Sequence, residues 1–403
     1  MNTFALVCSR CGVRQPFALK GVCSCGGTLL VEFDTERISL SLRDEIQGRP
    51  WTMWRYKELL PVSNISRIVT LGEGGTPLLR LERLEKRFGL GPLYSKREEL
   101  NPTGSFKARG FSSAVTLLNE RDIRKVAVNS NGNAASALAA YAAGCGMDAY
   151  VFVPKDCPGL IVEECLLYGA HTYLVNGFIQ DAGAIVAEGA SEQGWFHVGT
   201  LKEPGRVEGK KTMGLEIAEQ LGWKFPDIVI YPTGGGSGII GLWRAFLLLK
   251  ELGWVQGPLP RLISVQEQGC EPVVHRFGGR DAQVGEEHVT ASATGLRVPK
   301  PPDIELVVSI LQQTNGHAVS VSLSEIEAAV QSLGRYGLSA SPEGAATWAA
   351  LLKLKDEQRI TAGETIVLFN TSHAGKYMPW KVTQQTPVIT SYHDFRYWHS
   401  RRS

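Results

Sequence analysis

From residue 93 onward the chain alternates short apolar runs with helical stretches, and that alternation limits the fold more than any other feature. Residues 126–128, 149–153, 172–175, 228–231, 262–265 and 365–369 read as strands. Residues 134–144, 161–168, 182–192, 207–221, 239–252, 324–333 and 343–354 read as helices, several closed by glycine. Strands that are apolar at every position need cover on both faces, and helices interleaved with them in sequence supply it through parallel crossovers. The expected fold class is therefore α/β, with parallel sheets covered by helices. Ser341-Pro342-Glu343 marks one helix start, with an N-cap, a proline at the first helical position and an acid in the first turn. Residues 278–302 are polar, glycine-bearing and closed by proline, and read as an irregular loop.

The N-terminus has a different character. Cys8-x-x-Cys11 and Cys23-x-Cys25-Gly26-Gly27 resemble the two knuckles of a zinc ribbon, with four soft thiolates suited to a tetrahedral ion. The second knuckle is one residue shorter than the common spacing. One structural zinc is expected, since four cysteines leave no open coordination position; four buried thiols without metal are the plainer alternative. Residues 34–70 mix Trp51, Trp54, Tyr56 and Pro61 with charges and read as an arm that packs onto the body. A formal net charge of +2 gives no reason to expect nucleic acid or an anionic membrane as a partner. No apolar run is long enough to span a bilayer, and the first residues lack a basic start followed by an apolar stretch. A cytoplasmic location follows as an expectation.

Two motifs carry chemistry. Gly234-Gly235-Gly236-Ser237-Gly238 follows the apolar run 228–231 and opens a helix. Its glycines let backbone N–H groups approach a phosphate, and the helix start adds partial positive charge. The pattern is not Gly-x-x-x-x-Gly-Lys, which disfavours a nucleotide loop. Asn101-Pro102-Thr103-Gly104-Ser105-Phe106-Lys107 ends in an amine that can form a Schiff base with an aldehyde cofactor, then shuttle protons once burial lowers its pKa. Taken singly, each motif has a bland reading: a close packing point, and a surface lysine at a helix start. Ser130-Asn131-Gly132-Asn133 is a further strand-to-helix turn, in which asparagine also suits an N-cap.

Together these stretches resemble the fold type II (tryptophan synthase β-like) pyridoxal-phosphate enzymes, and within them the threonine synthase group. The resemblance covers nearly the whole chain after residue 70. It implies a two-domain body that binds pyridoxal 5′-phosphate behind the ribbon. The corresponding units are a ribbon at 1–33, an arm and the start of the large domain at 34–125, a small mobile domain at 126–205, and the rest of the large domain at 206–403. The resemblance implies that Lys107 holds the cofactor with Phe106 beside it, and that Gly234, Gly235, Gly236, Ser237 and Gly238 bind its phosphate. Asn133 would meet its phenolate oxygen. Thr371, in Asn370-Thr371-Ser372-His373, would face the pyridine nitrogen, with Ser372 as the stand-in. Ser130, Asn131 and Gly132 would bind the substrate carboxylate. Thr76, in Gly72-Glu73-Gly74-Gly75-Thr76, would lie near the substrate, with a simple turn as the other reading, and Arg206 would receive a substrate phosphate.

The implied reaction converts O-phosphohomoserine to threonine and phosphate, on a small amino-acid substrate and in a homodimer. Two positions depart from the family pattern. Ala108 stands where the family usually has aspartate. Lys202-Glu203-Pro204-Gly205-Arg206 stands where Asn-Pro-x-Arg is common, before Glu208-Gly209-Lys210-Lys211-Thr212. An inward Glu203 would repel a dianion. A dehydratase, a β- or γ-replacement enzyme, and a ribbon protein with a decayed enzyme body are the other readings.

Overall fold

The computed structural model describes residues 4–39, 41–281, 289, 291–377 and 388–400. Part of the expected irregular loop, 282–288 and 290, lies outside the described residues. In chain order the strands are β1 (Phe4–Cys8), β2 (Arg14–Gln15), β3 (Leu29–Phe33), β4 (Leu78–Arg80), β5 (Leu93–Arg97), β6 (Lys125–Asn129), β7 (Asp148–Pro154), β8 (His171–Val175), β9 (Phe196–His197), β10 (Ile228–Pro232), β11 (Arg261–Glu267), β12 (His317–Val321) and β13 (Ile366–Asn370). The α-helices are α1 (Leu42–Gln47), α2 (Glu82–Phe88), α3 (Lys107–Asn119), α4 (Asn133–Ala143), α5 (Gly159–Leu167), α6 (Ile179–Gln193), α7 (Gly205–Gln220), α8 (Ser237–Glu251), α9 (Pro272–Phe277), α10 (Ile304–Gln313), α11 (Leu323–Gly334), α12 (Pro342–Asp356) and α13 (Tyr392–His399).

Three sheets result. The largest runs β12-β11-β10-β13-β5-β4 and is parallel except for β4 at its edge. A second sheet, β8-β7-β6-β9, is parallel throughout. The ribbon is a small antiparallel sheet, β2-β1-β3. The strand β10 shows why continuous apolarity was the right signal. Ile228 and Ile230 enter the core beneath Trp348 and Ala345 of α12, while Val229 and Tyr231 enter the opposite core with Ile239 and Leu242 of α8. Burying one such aliphatic side chain contributes about 1.5–3 kcal/mol. The expected helix start at Ser341 is also present: its hydroxyl accepts from the Gly344 N–H at 3.1 Å.

Small residues bring the helices together. Alanines of α4 share one core with Phe111, Ala114 and Val115 of α3 and with Val126 and Val128 of β6. A Cβ at Gly209 of α7 would fall 2.0 Å from the Arg109 carbonyl of α3, so only glycine permits that crossing. The arm after the ribbon docks on the same helices. The Tyr56 hydroxyl and the Arg55 guanidinium both meet Glu219 at the end of α7. Among the described residues no helix is long and apolar enough to cross a membrane.

Candidate active site

The carboxyl ends of β6, β10 and β13 open onto one cavity of about 400 Å³, where a doubly covered parallel sheet leaves room for a ligand. Phe106, Lys107, Ser130, Asn131, Gly132, Asn133, Arg206, residues 234–238, Thr371 and Ser372 all line it. Backbone pairing explains how residues so far apart in sequence meet. The Phe106 N–H donates to the Thr371 carbonyl at 3.0 Å, and Ser105 bridges to Ser372. This seats the start of α3 against the end of β13. Thr103, just before, adopts a φ of 59°, unusual for a β-branched residue. The Lys376 ammonium holds its carbonyl at 2.6 Å and offsets that strain.

Lys107 is the first residue of α3, with its amine 4.4 Å from the centroid of the Phe106 ring. Burial and the charge of Arg206 push the amine down to about 7, and Glu343 opposes them. An amine so poised is a nucleophile and a proton carrier near neutral pH. The glycine loop is hemmed in on all sides. A Cβ at Gly234 would meet the Gly295 carbonyl at 2.4 Å, one at Gly238 the Tyr231 hydroxyl at 2.0 Å, and Gly236 has a φ of +82°. Ser237 begins α8 behind that turn.

Arg206 is buried, its guanidinium 4.6 Å from the Phe111 ring, with Nη1 donating to the Val198 carbonyl at 3.0 Å. Its Nε has no partner among the described residues. Burial lowers it to about 10, against the pull of Glu203. Glu203 itself accepts from the N–H groups of Gly205 and Arg206 at 2.5 and 3.0 Å. Its carboxylate therefore caps α7, and it is not among the cavity's lining residues. Its hydrogen bonds are spent on backbone donors and not on a group in the cavity, though its charge still acts on Arg206. Ala108 is fully buried in the core beneath α3.

Thr76 requires a correction. It lies away from the cavity, in a closed ionic cluster in which its hydroxyl donates to Glu98 at 2.6 Å and accepts from Arg109 at 3.2 Å. Arg109 reaches Glu98 and Glu216 at 2.7 and 2.6 Å, and Lys96 reaches Glu216 at 2.7 Å. Two cations and two carboxylates cancel, and the cluster ties α3, α7 and β5 together beside Lys107. Asn133 is the first residue of α4 and not its cap; Gly132 holds the cap position. The Asn133 amide donates to the Tyr377 hydroxyl at 2.7 Å.

Sequence reasoning missed His197, Glu343 and Tyr377, which also line the cavity. Burial and the charges of Lys202 and Arg206 lower His197 to about 4, so it is a neutral hydrogen-bonding group paired with Asn129 at 3.0 Å. Glu343 had been seen only as a first-turn acid. Burial raises its pKa; one oxygen accepts from the Gly295 N–H at 2.8 Å, and the other has no partner among the described residues. Tyr377 carried no signal in sequence at all.

The cavity fits a phosphorylated aldehyde cofactor on its own terms. It combines a buried amine with a glycine cradle. Two buried oxygens, Asn133 Oδ1 and Thr294 Oγ1, await partners among the described residues. The ribbon fits a metal as well. Cys8 and Cys25 sulfurs lie 3.4 Å apart, Cys11 and Cys23 sulfurs 3.8 Å, and all four fall within 4.8 Å. Zinc–sulfur bonds of about 2.3 Å in a tetrahedron separate the sulfurs by about 3.8 Å.

Comparison with known proteins agrees with this geometry. The family model described as "Pyridoxal-phosphate dependent enzyme" matches residues 69–372. Threonine synthase of Methanocaldococcus jannaschii is 35% identical over 374 residues, covering 92% of each chain. Threonine synthase of Methanosarcina acetivorans is 34% identical, covering 92% of this chain and 91% of its own. Among solved structures, maize serine racemase superposes with a TM-score of 0.63 at 20% identity, over 80% of this chain and 93% of that one, a likeness of fold. The chain belongs to the pyridoxal-phosphate-dependent enzyme family.

Proposed function

We propose that the chain is a threonine synthase, which converts O-phosphohomoserine and water to threonine and phosphate. The observation that carries this reading is the convergence of the half-buried Lys107 and the buried Arg206 on one cavity, neither ion-paired among the described residues. The likeness to threonine synthases over nine-tenths of the chain supports it. Lys107 would hold the aldehyde carbon of pyridoxal phosphate, the 234–238 loop its phosphate, Thr371 its ring nitrogen and Asn133 its ring hydroxyl. When bound, the cofactor supplies an electron sink that stabilises negative charge on the substrate's carbons.

The chain's own groups do the rest. The Lys107 amine moves protons between Cα, Cβ and Cγ, a task that suits a pKa of about 7 because both protonation states are populated. Arg206 meets the substrate phosphate through paired hydrogen bonds, with Phe111 stacked behind it. N–H groups at the start of α4 receive the substrate carboxylate. A hydroxyl at Thr371 cannot protonate the ring nitrogen as an aspartate would, which favours proton transfers managed by Lys107. We also infer one structural zinc on Cys8, Cys11, Cys23 and Cys25, which sits in the ribbon and touches no reacting atom.

The test is a substrate comparison with purified protein. O-phosphohomoserine should release phosphate and form threonine in equal amounts, while serine and threonine react far more slowly. Rapid deamination of serine or threonine, with no threonine made from O-phosphohomoserine, overturns the reading in favour of a dehydratase.

A further inference from the structure

Beneath the glycine loop lies a cation that the reaction described above does not use. Lys210 lies in the second turn of α7, is fully buried, and donates from its amine to the Ser237 hydroxyl at 2.8 Å. Its path runs between two glycines. A Cβ at Gly110 of α3 would fall 3.2 Å from Lys210 Cε, and one at Gly241 of α8 would fall 3.1 Å from its Cβ. The packing of three helices thus leaves a channel that delivers this amine to the first residue of α8.

The partner is chemically odd. A buried ammonium normally takes a carboxylate, because an unpaired charge in a low-dielectric interior is expensive. Lys96 has Glu216 and Lys211 has Glu208. Lys210 makes no ion pair among the described residues; its amine has the Ser237 hydroxyl and, 5.7 Å away, the face of the Phe106 ring. Two further cations, Arg206 and Lys107, crowd it, and the nearby acid, Glu203, is held by backbone N–H groups. Burial, then Arg206 and Lys107, push the Lys210 amine well below its ordinary value. The site is short of negative charge, and a dianion seated at Ser237 would supply it. Because Ser237 accepts from Lys210, its own proton is left to donate, and Ser237 lines the cavity.

We propose that Lys210 is a positioning residue for the phosphate monoester of the cofactor, acting through Ser237 to fix a hydroxyl donor and a positive charge at the floor of the 234–238 loop. This rests on the assignment of that loop to the cofactor phosphate. The substrate carries a phosphate monoester too, but Arg206, like Lys107, Lys202 and Lys300, itself lines the cavity, whereas Lys210 reaches it only through the loop.

The test uses full-length protein freed of cofactor, with pyridoxine 5′-phosphate and pyridoxine as probes. Neither has the aldehyde, so their affinity ratio reports the phosphate alone, and general damage to the fold would weaken both alike. Lys210→Met should shrink that ratio by about tenfold or more, Ser237→Ala should shrink it as well, and the double variant should lose little beyond the larger single loss. Ser237→Ala, a small change at the cavity wall, keeps the test decisive if Lys210→Met does not fold. A ratio that survives either substitution in folded protein overturns the role of Lys210. A ratio unchanged while the KM for O-phosphohomoserine rises also overturns it, and moves Lys210 to the substrate's phosphate. Wild-type protein with no preference for the phosphorylated probe overturns the loop assignment itself.

Discussion

At the scale of single residues, the site depends on what burial does to two cations. Lys107 is ordinary in composition and unusual in place: desolvation and Arg206 bring its amine to about 7. An amine must be unprotonated to attack an aldehyde, so recapture of pyridoxal phosphate by cofactor-free protein should speed up as pH rises through about 7. Arg206→Gln removes a like charge and should shift that rise to higher pH. Stopped-flow absorbance checks both, and a profile that stays flat to pH 9 or rises only there contradicts the depressed amine. After borohydride reduction, peptide mapping should find the pyridoxyl group on Lys107; a label on Lys210 or another lysine removes Lys107 from its role. Arg206→Gln should also raise the KM for O-phosphohomoserine by about 30- to 150-fold, the equivalent of about 2–3 kcal/mol for a lost bidentate contact.

At the scale of elements, the precision of the site comes from helices locked against one another. The cluster of Lys96, Glu98, Arg109 and Glu216 is wholly buried and joins α3, which carries Lys107, to α7, which carries Arg206 and Lys210. Burial would raise Glu216, but Arg109 and Lys96 outweigh it and hold the carboxyl at about 2. A carboxyl depressed in the folded state contributes stability that is present above its unfolded value and is lost as pH falls. Stability should therefore decline from about pH 4.5 toward pH 2, and this part of the decline should vanish in Glu216→Gln. At neutral pH that variant leaves two buried cations short of a partner and should lose about 3–5 kcal/mol in urea unfolding. A loss under about 1 kcal/mol would mean the cluster relaxes or admits water. These ties were hard to read in sequence because each charged member looks like an ordinary surface charge, and Thr76 was placed near the substrate only because its stretch resembles one in the threonine synthase group.

At the scale of the whole molecule, the ribbon is more than an appendage. The Gly21 N–H donates to the Lys202 carbonyl at 2.9 Å, and Thr28 donates to Asp303 from its N–H at 3.1 Å and its hydroxyl at 2.7 Å. Lys202 lines the cavity, and Asp303 follows the cavity-lining Pro302 and caps α10. Through Gly21 and Thr28 the ribbon thus contacts two loops of the candidate site from outside. Elemental analysis should find about one zinc per chain. Removing it with a chelator should lower the melting temperature and speed amide exchange at residues 200–206 as well as within the ribbon. Metal-free protein with unchanged melting and exchange would make the thiolates irrelevant to the fold.

The chain's own order of residues determined the type of fold, because periodicity and glycine placement are local properties that translate directly into strands, helices and turns. The apolar run at 228–231, the alanine-rich stretch before Gly144 and the proline behind Ser341 needed no partner to be read. The strand at 317–321 escaped because His317 and Ser320 leave no apolar run longer than Ala318-Val319, and Leu93–Arg97 because it ends in Lys96 and Arg97. Lys107, the glycine loop and Arg206 were legible as motifs. Their convergence was not, since it depends on β13 pairing its end with the residues before Lys107 across more than half the chain. Tertiary structure alone decided which acids face the cavity. Glu203 turned away because the N–H groups at the start of α7 offered it partners, and Glu343 turned in because Gly295 did. It alone placed Lys210 under Ser237, because a side chain's charge environment is set by whatever helices pack around it, and that information is spread over the whole sequence.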